Sequence, residues 1–231
     1  SMAARHQKSS ALSVGSGAWR GSAVPSIIWA NKSSQVLGVD SSPSFVDADI
    51  TAMIRRNAEA VRMAFPGAVI VVVTEANMSY TGADRIGAFF SQPYMRPSFV
   101  LSRDESGRGR PGVWTTDVEK ELYCRDMERI LATNSLRRAK TLVTIAPDGK
   151  DARAPEKQWL KLVQQLGMFR RTVKSPQDEV FQRSRLAFSG KGGGNKDDMV
   201  MALMMATYWT TDVRRDQRFR DEARAQGWQL D

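Results

Sequence analysis

Hydrophobic and polar positions alternate along this chain in two rhythms. From Ala68 to Glu75 (AVIVVVTE), seven uncharged residues follow one another without polar alternation, the pattern of a strand buried on both faces in the middle of a helix-covered sheet. Upstream, Ala23 to Trp29 and Gln35 to Val39 are apolar or β-branched runs separated by Ala-Asn-Lys-Ser-Ser, which has the length and composition of a hairpin connection. They are predicted to pair antiparallel, and Ala11 to Val14 is a candidate third strand. Between the hairpin and the long strand, Ile50, Ile54, Val61 and Phe65 fall on one helical face, predicting a helix from Ala48 to Phe65 capped by Asp47 and stopped by Pro66-Gly67.

Downstream, the pattern predicts helices over Gly82–Phe90, Asp117–Thr133 and Pro155–Leu166, and strands over Ser98–Leu101, Thr141–Ala146 and Leu186–Phe188. A helix starting near Lys196 is apolar on every side (MVMALMM) and must be buried. Residues 214 to 224 mix charges with few apolar positions and read as an exposed tail helix rather than a DNA arm. Strands come first and then alternate with helices, which favours one α/β domain around a mixed sheet, with 212 to 231 as a peripheral helix or tail.

Charge narrows the partner. Lys and Arg exceed Asp and Glu by 34 to 25, giving a net +9, the profile of a protein that meets a polyanion. No run of about 18 apolar residues is present and no secretory signal is recognisable, which argues against a membrane role. Ser1-Met2 reads as a cloning remnant. One cysteine, Cys124, and one histidine, His6, exclude an intrachain disulfide framework and a Cys/His zinc site, and point to a reducing compartment. A metal here must be held by carboxylates, which suits Mg²⁺ or Mn²⁺.

The carboxylates that stand out are Glu75, the sole acid in its run and placed where a central strand leaves the sheet, and Asp197 and Asp198, at the head of the buried helix. Solvent contact at a strand end would account for Glu75, and capping or dipole compensation for one aspartate; a second acid roughly 100° round the helix can face the Glu75 crevice. Such a set can hold two divalent ions about 4 Å apart that bridge a phosphodiester, one activating the attacking water and the other stabilising the leaving oxygen. Lys191 and Lys196 flank the triple glycine of KGGGNK, where backbone and cations can approach phosphate. The loop lacks the GxxxxGK[ST] order of a P-loop, and a flexible solvent loop is its commoner meaning. A second Gly-rich connection carries Arg103, Arg108 and Arg110, which could track phosphates or simply be solvated.

Two segments carry a family resemblance. TEANMSY (Thr74–Tyr80) resembles the strand-end Glu-x-Asn-x-Ser motif of the C-terminal nuclease domain of the herpesvirus terminase large subunit, and FSGKGGGNKDDMVMALMMA (Phe188–Ala206) is similar to its Ser-Gly-Lys loop followed by Asp-Asp and an apolar helix. The resemblance spans Ala23 to Trp209 and implies an RNase H-like mixed β-sheet flanked by helices on both faces. It also implies cleavage of double-stranded concatemeric DNA with two Mg²⁺ or Mn²⁺ ions, other terminase subunits and the portal as partners, and the host nucleus as location. Glu75 matches the family's second acid and the Asp197-Asp198 pair its third, with Asp198 favoured as the direct ligand.

The family's first acid ends a strand that precedes the hairpin, and no aspartate stands there in this chain. Three options are open. VGSGAW (Val14–Trp19) resembles the surroundings of that acid with Ser16 in its place; MAAR (Met2–Arg5) could be a truncated remnant; and Asp40 in VLGVDSS looks like the first-strand acid of many RNase H-like nucleases. The context of Asp40 argues the other way, because one helix and no hairpin separates it from the Glu75 strand. Either of the first two options leaves a catalytically incomplete nucleic-acid-binding or assembly module; the third points towards a cellular junction resolvase.

Overall fold

The computed structural model describes residues 9–14, 24–30, 35–42, 46–66, 68–75, 80–103, 109–142, 153–174, 185–189, 198–213, 217–225 and 227. In chain order, the first half contains β1 (Ser9–Val14), β2 (Val24–Ala30), β3 (Gln35–Ser42), α1 (Asp47–Ala64), β4 (Val69–Thr74), α2 (Tyr80–Phe90), β5 (Ser98–Val100), β6 (Ser102–Arg103) and β7 (Gly112–Val113). The second half contains α3 (Asp117–Ala132), β8 (Arg137–Arg138), α4 (Ala154–Met168), β9 (Arg170–Lys174), β10 (Arg185–Ser189), α5 (Asp198–Val213) and α6 (Gln217–Ala225). The main sheet has the order β5-β4-β1-β2-β3-β8. Its middle is the candidate third strand: β1 pairs parallel with β4, and antiparallel with the first strand of the β2-β3 hairpin.

The uninterrupted apolar run of β4 is buried at all six positions because helices cover both faces of the sheet. Val69, Val71 and Val73 join a core with residues of α3, α4 and α5, whereas Ile70 and Val72 join a second core with residues of α1 and α2. This is an RNase H-like α/β fold. α5 is the most deeply buried helix by composition as well as position: Val200, Ala202, Leu203, Met204, Met205 and Ala206 are at most 1 % exposed. Burying each leucine or methionine of that kind contributes about 1.5–3 kcal/mol, so α5 is held by its whole circumference. Among the described residues no helix is long and apolar enough to cross a membrane.

Several sequence expectations shift. Asp47 is not the cap of α1; it lies inside the helix, and Val46 occupies the cap position with no side-chain bond. Thr141 and Leu142 are not in a strand, and 143–146 lie outside the described residues. The edge next to β3 is taken instead by β8, two arginines that pair parallel with Gln35 and Val36. A charged two-residue edge carries no apolar rhythm and blunts further pairing. Leu186–Phe188 does lie in a strand, β10, but its partner is the unforeseen β9, and the two form a separate antiparallel sheet. α5 runs on to Val213, and α6 is not wholly exposed: Phe219 is 3 % exposed and meets Phe99 edge-on at 5.2 Å.

α3 starts with a capping box. The Thr116 hydroxyl accepts the Glu119 N–H at 3.3 Å and the Glu119 carboxylate accepts the Thr116 N–H at 2.6 Å, satisfying two amides at the helix start. Two turns on, fully buried Tyr123 accepts the indole N–H of Trp209 on α5 at 2.7 Å. Tyr123→Phe leaves that buried N–H without its acceptor and is expected to cost about 1–3 kcal/mol, read as a lowered urea midpoint with an unchanged slope.

Candidate metal centre

The register of the sheet fixes where each candidate acid stands. Glu75 follows directly on β4 and forms an isolated parallel bridge with Val113 of β7. Strand alternation puts it in phase with Val69, Val71 and Val73, on the face covered by α5. Its electrostatics agree with that placement. The phenol of Tyr123, in the α5-side core, is pushed far above its ordinary value chiefly by burial, opposed by the Trp209 N–H, with the Glu119 and Glu75 carboxylates adding to the rise.

Asp198 is the first residue of α5 and is 4 % exposed, so a carboxylate is held inside the protein at the head of an apolar helix. The next amide, Met199 N–H, donates to the Gln165 side-chain oxygen of α4 at 3.0 Å. Gln165 is itself 6 % exposed. Glu75 and Asp198 are thus assigned to one side of the sheet, Glu75 by strand phase and Asp198 by the helix that covers that side.

Asp40 belongs to the other side. Along the sheet, Asp40 is level with Ser26, Val14 and Thr74, three strands from β4, which at about 4.8 Å per strand is roughly 14 Å away. Its carboxylate accepts the Arg56 guanidinium of α1 at 2.8 Å and the Ser41 N–H at 2.8 Å. Asp40 is therefore in an ion pair on the α1 face, on the opposite side of the sheet from Glu75.

Of the remaining candidates, Arg110 is exposed, and its carbonyl accepts the Ser102 hydroxyl; the two ends of its loop are tied where Ser102 and Arg103 of β6 pair with Gly112 and Val113 of β7. Asp197, Lys191, Lys196, Arg108, Ser16 and the segment Met2 to Arg5 lie outside the described residues. The sequence itself bears on the first acid, since no residue from 1 to 39 is Asp or Glu. Neither β1 nor β2 brings a carboxylate to this end of the sheet. Carboxylate donors at Glu75 and Asp198 suit a hard divalent ion, but among the described residues no three His, Cys, Asp or Glu side chains gather to hold one.

Sequence reasoning missed Gln165 and Tyr123. Gln165 had a legible signal: it is the polar position on the otherwise apolar stripe of Trp159, Leu162 and Leu166 in α4, which Phe169 continues just past the helix end. Tyr123 had none beyond the apolar periodicity of α3.

No family model and no curated protein matches the chain. Solved structures do. The human cytomegalovirus terminase nuclease domain, soaked with manganese, superposes with a TM-score of 0.58 at 15 % identity, covering 95 % of this chain and 89 % of that one. The large terminase nuclease of the thermophilic phage G20c gives 0.54 at 11 % identity, covering 88 % and 83 %. The chain has the fold of a terminase nuclease domain. Both viral and phage domains share it, at identities that speak for the fold alone. The phage domain was also solved with magnesium and with cobalt bound.

Proposed function

We propose that this chain is a divalent-metal-dependent endonuclease domain of a terminase large subunit, acting on double-stranded concatemeric DNA during viral genome packaging. The observation that carries the reading is the shared sheet face of Glu75 and Asp198 within the terminase-nuclease fold. In this reading Glu75 and Asp198, with Asp197 beside them, hold Mg²⁺ or Mn²⁺, and the herpesvirus-type motifs around them suggest a viral protein of the host nucleus whose partners are other terminase subunits and the portal.

The chain's own residues have distinct tasks. Glu75 presents its carboxylate from a strand end fixed by pairing on both sides of β4, so its position depends on the sheet and not on a loop. Asp198 presents its carboxylate from a helix that cannot slide without unpacking the core. Lys191, Lys196, Arg103, Arg108 and Arg110 supply cations for phosphate, consistent with the net charge of +9. A bound divalent ion would supply charge stabilisation at the phosphodiester and a more acidic water.

A second reading has its own support. With no acid from 1 to 39 and with Asp40 turned to Arg56, the described carboxylates are fewer than a two-ion site requires. The chain would then bind nucleic acid within an assembly without cutting it. Supercoiled plasmid incubated with the protein separates the two: nicking in Mn²⁺ that stops with EDTA is expected for the nuclease, whereas salt-sensitive DNA retention without nicking would replace it by the second reading. Mn²⁺ calorimetry adds the stoichiometry; two ions per chain would count heavily against an incomplete site.

A further inference from the structure

We propose that Gln165 is a positioning residue that sets the rotation of α5 and thereby aims the Asp198 carboxylate; this rests on the metal-site reading above. At its start α5 packs through Met199, Met201, Met204 and Met205, whose side chains refill gaps easily, while the rigid aromatic contacts of Tyr208 and Trp209 with Tyr123 lie further along the helix, so packing fixes the rotation of the first turn least. Hydrophobic burial holds such a helix in the core without orienting it finely. Orientation must come from directional contacts.

Hydrogen bonds to α3 and α4 have that character. Near the distal end of α5, Trp209 donates to Tyr123 of α3 at 2.7 Å. At the proximal end, Met199 N–H donates to Gln165 of α4 at 3.0 Å. The first amides of a helix have no partner within it, so an acceptor from a neighbouring element both satisfies one and fixes its direction. Met199 is the residue next to Asp198, and the tether therefore acts one residue from the carboxylate. With a carboxylate roughly 5 Å from the helix axis, a rotation of roughly 20° carries it roughly 2 Å, enough to spoil a coordination distance.

The side chain at 165 also argues for a directional role. Position 165 is buried on the stripe that packs against the α5-side core through Leu162, Leu166 and Trp159, where leucine or methionine would serve packing without burying an amide. A glutamine there is explained by the bond it makes. Groups that orient metal ligands typically matter about 10–100-fold in metal affinity, so the effect is open to direct measurement.

The experiment titrates Mn²⁺ alone into the full chain by calorimetry for wild type, Gln165→Met, Gln165→Glu and Asp198→Ala, and follows amide exchange at Met199. Gln165→Met keeps the shape and removes the acceptor; it is expected to weaken Mn²⁺ binding about tenfold and to speed exchange at Met199 while the Trp209 end of α5 keeps its protection. Gln165→Glu keeps an acceptor oxygen for the Met199 N–H and is expected to restore Met199 protection. Wild-type Mn²⁺ affinity in Gln165→Met, alongside loss of binding in Asp198→Ala, would overturn the positioning role and leave the metal site intact. Unchanged binding in Asp198→Ala would remove the site, and the proposal with it. If Gln165→Met fails to fold, an unprotected Met199 amide in the wild-type chain is the result that overturns the proposal.

Discussion

Replacing Glu75 or Asp198 by alanine is expected to abolish Mn²⁺-dependent nicking, with a loss of at least about a thousandfold, equivalent to about 4 kcal/mol of transition-state stabilisation. The size follows from the small number of donors. Where the described carboxylates on this face are so few, deleting one removes much of the charge that holds an ion. Neither change should unfold the protein. Glu75 is half-buried at a strand end, and Asp198 stands at the first turn of a helix whose following residues are held in the core. Far-ultraviolet circular dichroism and the thermal midpoint check that point before rates are compared. Cleavage at the wild-type rate in both variants would sink the assignment of the site.

The parts of the fold that could be read from the sequence are those where one rhythm runs long enough to dominate. β4 announces itself by six residues buried in succession, and α5 by an apolar surface with no polar side. β8 and β9 do not, because arginine-rich strands at edges pair through their backbone while their side chains give no alternation. Glu75 and Asp198 stand out in the sequence as acids that border long apolar runs. The facing of Asp40 is not legible there, and the reason is a single residue.

Between β2 and β3 the register slips: Ile28 pairs with Gly38 and Trp29 with Val36, so Leu37 is an extra residue on β3. Without that bulge, Asp40 would be in phase with Val36, which lies in the α5-side core, and would share the face of Glu75. With it, Val39 returns to the α5 side, Leu37 joins the α1-side core, and Asp40 meets Arg56. VLGVDSS resembles a catalytic first strand in sequence and differs from one in phase. A bulge of one residue leaves no mark in a hydrophobic pattern, since Gly38 tolerates either placement.

The same geometry makes Arg56 a stability residue whose loss should spare catalysis. The Asp40 side chain is 10 % exposed and that of Arg56 25 %, so the pair is largely withdrawn from water. Removing one member of a buried pair leaves the other charged and uncompensated, at a cost of about 3–5 kcal/mol when burial is complete. The partial exposure of Arg56 and the retained Ser41 N–H on Asp40 bring the expectation for Arg56→Ala to about 2–4 kcal/mol. Urea unfolding reads that cost directly. Because the pair lies on the α1 face, the variant that remains folded should bind Mn²⁺ as wild type does. A loss of Mn²⁺ affinity comparable to that of Asp198→Ala would instead place Asp40 in communication with the metal centre, and the bulge would then need a catalytic explanation in place of a structural one.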